Sequence, residues 1–181
     1  MDTISALLLL IIVIFSVYNI CVLAKYGIPN TLSLTYYWFK RTCSSKGLLF
    51  PILLCLICAI TIPIWIYVDC QLQFDFSCVW MVYATWFALM IVCLTARYNK
   101  TKKRWKIHYS AAIASAIFTL SWIIIKANFI VYYTAIVLIL ALWAAYLTKT
   151  IRTHIIYWLE LSAFYSIFIT LFILNTFYIA K

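Results

Sequence analysis

Six long stretches of this chain are apolar almost throughout, and each is about as long as a bilayer is thick. They cover residues 3–24, 48–68, 77–96, 107–125, 128–148 and 155–180, and Glu160 is the one acid inside any of them. A hydrocarbon core of about 30 Å asks for roughly 20 apolar residues per helix. The fourth and fifth stretches are separated only by Lys126-Ala127-Asn128. Read as one helix they would extend about 60 Å, twice the bilayer, so a tight hairpin at this point is the better reading. The expectation is an all-α, polytopic integral membrane protein: one domain, residues 1–181, of six transmembrane helices.

Composition excludes the soluble alternatives. Hydrophobic residues make up 68% of the 181 positions and charged residues 10%, where a soluble domain has about 45–50% and 25%. A soluble fold of this size leaves about a third of its chain surface in water, too much for this composition to cover. A soluble enzyme, a disordered regulator and a secreted disulfide scaffold are all excluded. The first stretch also lacks the basic leader and small-residue cleavage site of a signal peptide, and is expected to be a retained helix.

Charge sets the expected orientation. With the N-terminus outside, Lys25, Lys40, Arg41, Lys46, Arg97, Lys100, Lys102, Lys103, Arg104, Lys106, Lys149 and Arg152 fall inside, and Lys126 and Lys181 outside. Such an imbalance follows the positive-inside rule and predicts both termini outside. The net charge of +10 then points to anionic lipid headgroups at the inner face, with no nucleic-acid partner. The densest run is Arg97, Lys100, Lys102, Lys103, Arg104 and Lys106. Each cation there can add about 1 kcal/mol of attraction to an anionic leaflet, and the run reads as a topology anchor before it reads as a headgroup site. A homo-oligomer or a membrane protein partner is compatible with the sequence.

The longest inner loop begins Lys25-Tyr26-Gly27-Ile28-Pro29, which ends the first helix with Gly27 just beyond it. A short interfacial helix through Leu32, Tyr36, Tyr37, Trp38 and Phe39, or an irregular loop with aromatic anchors, would follow. Cys70 and Cys78 flank the first outer connection, where a disulfide is feasible. Cys55-x-x-Cys58 has metal-like spacing but lies within a helix and reads as small apolar filler. Pro63 should bend the second helix.

Few motifs remain for chemistry. With only two glycines, Gly27 and Gly47, there is no phosphate-binding loop, and four acids leave no metal cluster. No cofactor and no metal site is expected. An ionisable residue inside a membrane segment is a functional hypothesis by default, which singles out His108 and Glu160. Both sit near the inner ends of their helices, and they can meet if the fourth and sixth helices are neighbours. His108 heads a face with Ala112, Ser115, Thr119 and Trp122, while Ser162, Ser166 and Thr170 form a ridge on the sixth helix. Small and hydroxyl residues on such faces pack against protein rather than lipid. The pair reads as a structural contact or as a proton-handling or headgroup-binding site.

Tyr26-Gly27-Ile28-Pro29 with Ser33 and Tyr36-Tyr37, His108 opening a later helix, and Trp158, Glu160, Ala163 and Phe164 in the last one together form a pattern. It resembles that of a group of small uncharacterised polytopic membrane proteins from gut bacteria and their phages. The chain departs from it at Ser110-Ala111, where the group has a Gly-Ala pair, and has no acid in the loop before His108. The resemblance implies a bacterial inner-membrane or phage-encoded protein and brings no activity with it. The leading expectation is a non-enzymatic membrane protein acting as scaffold, assembly partner or envelope modifier. A proton-coupled transporter or channel using His108 and Glu160, and an intramembrane lipid-modifying enzyme, are the alternatives.

Overall fold

A computed structural model describes residues 2–35, 49–72, 78–96, 102–127, 131–150 and 153–179. It is all-helical over these residues: α1 (Thr3–Tyr26), a 3-10 turn (Leu32–Leu34), α2 (Leu49–Gln71), α3 (Val79–Ala96), α4 (Lys102–Lys126), α5 (Val131–Leu147) and α6 (Ile155–Leu174), which continues as a π turn over Asn175–Ile179. Four of the helices are long and apolar enough to cross a membrane: α1, α2, α4 from Lys106 on, and α6 with its π turn. α3 and α5 are apolar but shorter.

Local chemistry sets the helix limits. The Asp2 carboxylate accepts the Ser5 N–H at 3.1 Å and caps α1. At the other end the Gly27 N–H donates to the Leu23 carbonyl at 3.0 Å with φ at +78°, a conformation that favours glycine. α2 runs unbroken through Pro63, which sits on an exposed face. α4 starts at Lys102 instead of at 107, because Lys and Arg are good helix formers and extend the apolar span into the basic run. Past the turn at Leu32–Leu34, the aromatic stretch expected to form an interfacial helix, Tyr36 to Phe39, lies outside the described residues.

α1 and α6 lie antiparallel and are joined by side-chain hydrogen bonds along their length. Asn175 Nδ2 donates to Asp2 Oδ2 at 2.7 Å and to Ser5 Oγ at 3.0 Å. Ser16 and Tyr165 share a 2.6 Å bond, and the Tyr157 hydroxyl donates to Asn19 Oδ1 at 3.2 Å. Phe15 packs edge-on against Phe168 between them. In lipid, where apolar surface gains little by meeting apolar surface, such packing and interhelical hydrogen bonds hold helices together, at about 0.6 kcal/mol per bond. α5 packs on α6 and turns Tyr132, Ile139 and Tyr146 outward.

The opposite side of the bundle is α2, α3 and α4. Asp69, 2% exposed, closes its hairpin end: Oδ2 accepts the Cys78 N–H at 3.2 Å, and Oδ1 accepts the Trp122 indole N–H at 2.7 Å. Lys126, 1% exposed, stands 3.7 Å from Oδ1. Trp122 also packs edge-on against Trp65 at 5.3 Å. The feasible Cys70–Cys78 disulfide is corrected here: both remain thiols, Cys70 exposed and Cys78 buried. Successive helical residues differ by about 100° in direction, so turning Asp69 inward to the Cys78 amide turns Cys70 out.

Candidate functional site

At the other end of the bundle, four helices converge on the 3-10 turn. Its backbone N–H at Leu32 donates to Glu160 Oε2 of α6 at 2.7 Å. Ser33 Oγ lies 2.9 Å from His108 Nε2 of α4, whose Nδ1 lies 2.9 Å from Thr95 Oγ1 of α3. Thr35 bonds the Tyr18 hydroxyl of α1 and donates to the Leu32 carbonyl at 2.6 Å. α4 and α6 are neighbours, but among the described residues no ion pair joins His108 to Glu160. Each is bound to the turn, which stands between the two side chains. The physical reason is that an N–H and a hydroxyl on consecutive turn residues reach both helices at once.

One assignment of hydroxyl and imidazole protons satisfies every bond along this chain. Thr95 has one hydroxyl proton, and it goes to the Ile91 carbonyl at 2.6 Å. Its oxygen therefore accepts from His108 Nδ1–H, and the neutral imidazole then accepts at Nε2 from the Ser33 hydroxyl. Thr31 Oγ1, 3.0 Å from Ser33 Oγ, supplies the next donor. The chain runs Thr31, Ser33, His108, Thr95, Ile91 and ends on a backbone carbonyl.

Glu160 is partly buried and lines a cavity of about 400 Å³ enclosed by α2, α3, α4, α6 and the turn. That volume lies in the roughly 300–1,000 Å³ range of small-molecule sites. The α4 wall runs from Tyr109 to Leu120, about 16 Å of helix. Trp86 of α3, Ile113, Ile117 and Leu120 of α4 and Leu159 of α6 belong to the wall and are themselves exposed, so the cavity reaches the outer surface of the bundle. Elsewhere the wall is built mainly from Leu, Ile, Val, Phe and Ala, with Ser33, Trp86 and Tyr109 and, toward the middle, Thr61, Trp65, Thr85, Ser115 and Thr119 as members with polar atoms.

Three of those polar members lack a partner. Thr61 Oγ1, Trp65 Nε1 and Thr85 Oγ1 are buried without a hydrogen bond, on residues 5%, 3% and 3% exposed. Other helical hydroxyls here bond a carbonyl of their own helix, as Ser16, Thr95, Ser115 and Ser162 do. Of the five buried polar atoms left unbonded among the described residues, these three line this cavity, and Thr170 and His154 do not.

The remaining expected residues are placed as follows. Ser115 and Thr119 are buried on the His108 face and line the cavity. Ser162, Ser166 and Thr170 are buried on α6 away from it. Lys106 is exposed; Arg97 and Lys100 lie outside the described residues, as do the side chains of Lys102, Lys103 and Arg104. Sequence reasoning missed Leu32, Ser33, Thr95 and the Thr61–Trp65–Thr85 group. Thr61 and Trp65, four apart in an apolar helix, were the available signal for the last of these. Comparison with known proteins finds no matching family model, no similar curated protein and no similar solved structure.

Proposed function

We propose that this chain is a non-enzymatic, six-span protein of the bacterial inner membrane that holds a lipophilic small molecule among its helices. The observation that carries this reading is the cavity of about 400 Å³, whose wall includes residues exposed on the outer surface of the helices. In a bilayer that surface faces acyl chains, so an apolar guest can enter without crossing water. Six passes are supported by the antiparallel α1 and α6 and by the α2–α3 hairpin closed at Asp69. α3 and α5, with 18 and 17 residues, lie at the short end of the roughly 17–25 that span. The turn end then faces the cytoplasm, beside the basic run. Ser33 lines the cavity with His108 Nε2 2.9 Å from its hydroxyl, but the other ring nitrogen is held by the Thr95 hydroxyl and not by a carboxylate, which weighs against the enzyme reading.

A proton-coupled transporter is the second reading, and it draws on one observation: the Glu160 carboxylate lines the cavity. Against it, the same carboxylate is tied to the Leu32 N–H.

The test uses the full chain in vesicles with a diazirine-bearing hexadecane. Photolabelling should fall on cavity residues of α2 and α4, such as Ile57 and Ala116, and should disappear from them when Ala116→Trp and Ala163→Trp fill the space. Labelling confined to outward-facing α5 positions such as Ile139 would overturn the reading. Glu160→Gln should leave cavity labelling in place; a proton-driven flux lost in that variant would favour transport instead.

A further inference from the structure

We infer that the cavity is built for an elongated, neutral lipid-like molecule that carries a hydrogen-bond acceptor of the carbonyl class, bound at the level of Thr61, Trp65 and Thr85. This deepens the binding reading above and rests on it. Three observations lead there.

The first is the set of unbonded atoms. An indole N–H is a donor only, so Trp65 Nε1 asks for an acceptor that none of the described residues supplies. Thr61 lies one helical turn before it on the same face of α2, and Thr85 lines the same cavity from α3. A carbonyl oxygen has two lone pairs and can accept from the indole and a hydroxyl together. Burying such donors unbonded is costly, and a guest with a matching acceptor removes that cost.

The second is charge. The described wall contains no Lys, Arg or His, and its one ionisable acid is Glu160. An anionic head such as a free carboxylate or phosphate would sit uncompensated beside the indole and the threonines, which leaves a neutral acceptor: an ester, ketone or quinone carbonyl.

The third is length. The α4 wall runs about 16 Å with almost entirely apolar lining, and Thr61 and Thr85 stand well away from the turn that closes the other end. A guest filling it has an apolar body of about that length with its acceptor toward the Asp69 end.

The experiment is a competition against the photoreactive hexadecane in vesicles of neutral phospholipid, using the full chain. A long-chain ketone and the alkane of equal length are compared. The ketone should displace label from Ile57 and Ala116 at about a tenfold lower mole fraction than the alkane. Trp65→Phe should remove that advantage while leaving displacement by the alkane unchanged. Because Trp65 also packs on Trp122, Thr85→Val serves as the milder variant, and it should reduce the advantage. A carbon-13-labelled ketone gives a measurement without mutation: its carbonyl stretch should move to lower frequency with protein present than in vesicles alone. Equal displacement by ketone and alkane, which a water already bound to these groups would produce, overturns the inference and leaves the binding reading standing. Absence of any cavity label overturns the binding reading as well.

Discussion

The carboxylate of Glu160 accepts the backbone N–H of Leu32 at 2.7 Å, across 128 positions of sequence. Beside it, the ring of His108 takes the hydroxyl of Ser33, the next residue in the turn. Two side chains expected to answer each other answer one short piece of backbone instead, and their energies are linked through it.

That linkage gives a double-mutant prediction. Glu160→Ala leaves the Leu32 N–H without its acceptor and should cost about 1–3 kcal/mol; Glu160→Gln keeps an acceptor oxygen and should cost less than half as much. His108→Ala should cost about 0.6 kcal/mol, as expected of an interhelical bond in a membrane protein. Once either anchor is gone the turn is already loosened, so the double variant Glu160→Ala with His108→Ala should cost at least 0.5 kcal/mol less than the sum, roughly the lower bound for coupled neighbours. Reversible unfolding in mixed micelles measures the cycle, and strict additivity would refute the shared turn.

The hydroxyl chain predicts a tautomer. Because Thr95 gives its only proton to Ile91, the neutral ring of His108 should carry its proton on Nδ1. Nitrogen-15 chemical shifts of labelled histidine report this directly, with His154 removed as His154→Gln to leave one signal. Thr95→Val should move the proton to Nε2, where Ser33 can accept it, at a stability cost of about 0.6 kcal/mol. A wild-type ring protonated on Nε2 would contradict the assignment.

At the hairpin end, Asp69 serves three groups at once: the Cys78 amide, the Trp122 indole and Lys126. Removing one member of a buried ion pair typically costs about 3–5 kcal/mol. Asp69→Ala should fall at the top of that range or beyond it, because it also strands two N–H donors. Lys126→Met should cost less, since Asp69 keeps both of its hydrogen bonds. Thermal unfolding of the two variants side by side decides the order.

Asp2 gives the pH dependence. Hydrogen bonds from Ser5 and then Asn175 hold its carboxyl below the ordinary value of 3.8. A depressed carboxylate lends stability that is complete above its unfolded pKa and is lost as pH falls through the folded one. Between pH 5 and 8 this contribution should be constant; below about pH 4 it should decline. Asp2→Asn keeps a capping side chain and should be less stable than wild type at neutral pH, with the gap closing as the solution is acidified. Melting temperatures of both proteins from pH 3 to 7 test it, and a gap that widens in acid would reverse the sign.

Much of this architecture was legible in the sequence, and the missing parts share a cause. Apolar runs locate helices because a bilayer imposes length and composition on every pass, so helix limits fall within a few residues, with α4 as the exception where Lys102 and its neighbours extend it. The depth of His108 and Glu160 along their helices was readable from rise per residue alone. Their actual partners were not, because Leu32 offers a backbone N–H, which leaves no mark on residue identity, and Ser33 stood out only as part of a resembled pattern that assigned it no partner. The cavity was unreadable for a related reason: Thr61 and Thr85 occur among apolar residues as hydroxyls normally bonded to their own helix, and only three-dimensional placement shows that they are not.

The turn at Leu32–Leu34 is made early in synthesis and finished late. Its first tie, from Tyr18, exists as soon as the opening rod is in place, but the bond to Glu160 must wait until the final rod has been threaded in. A nascent chain that has not yet delivered α6 would therefore carry an unstitched elbow and a compartment open along one wall.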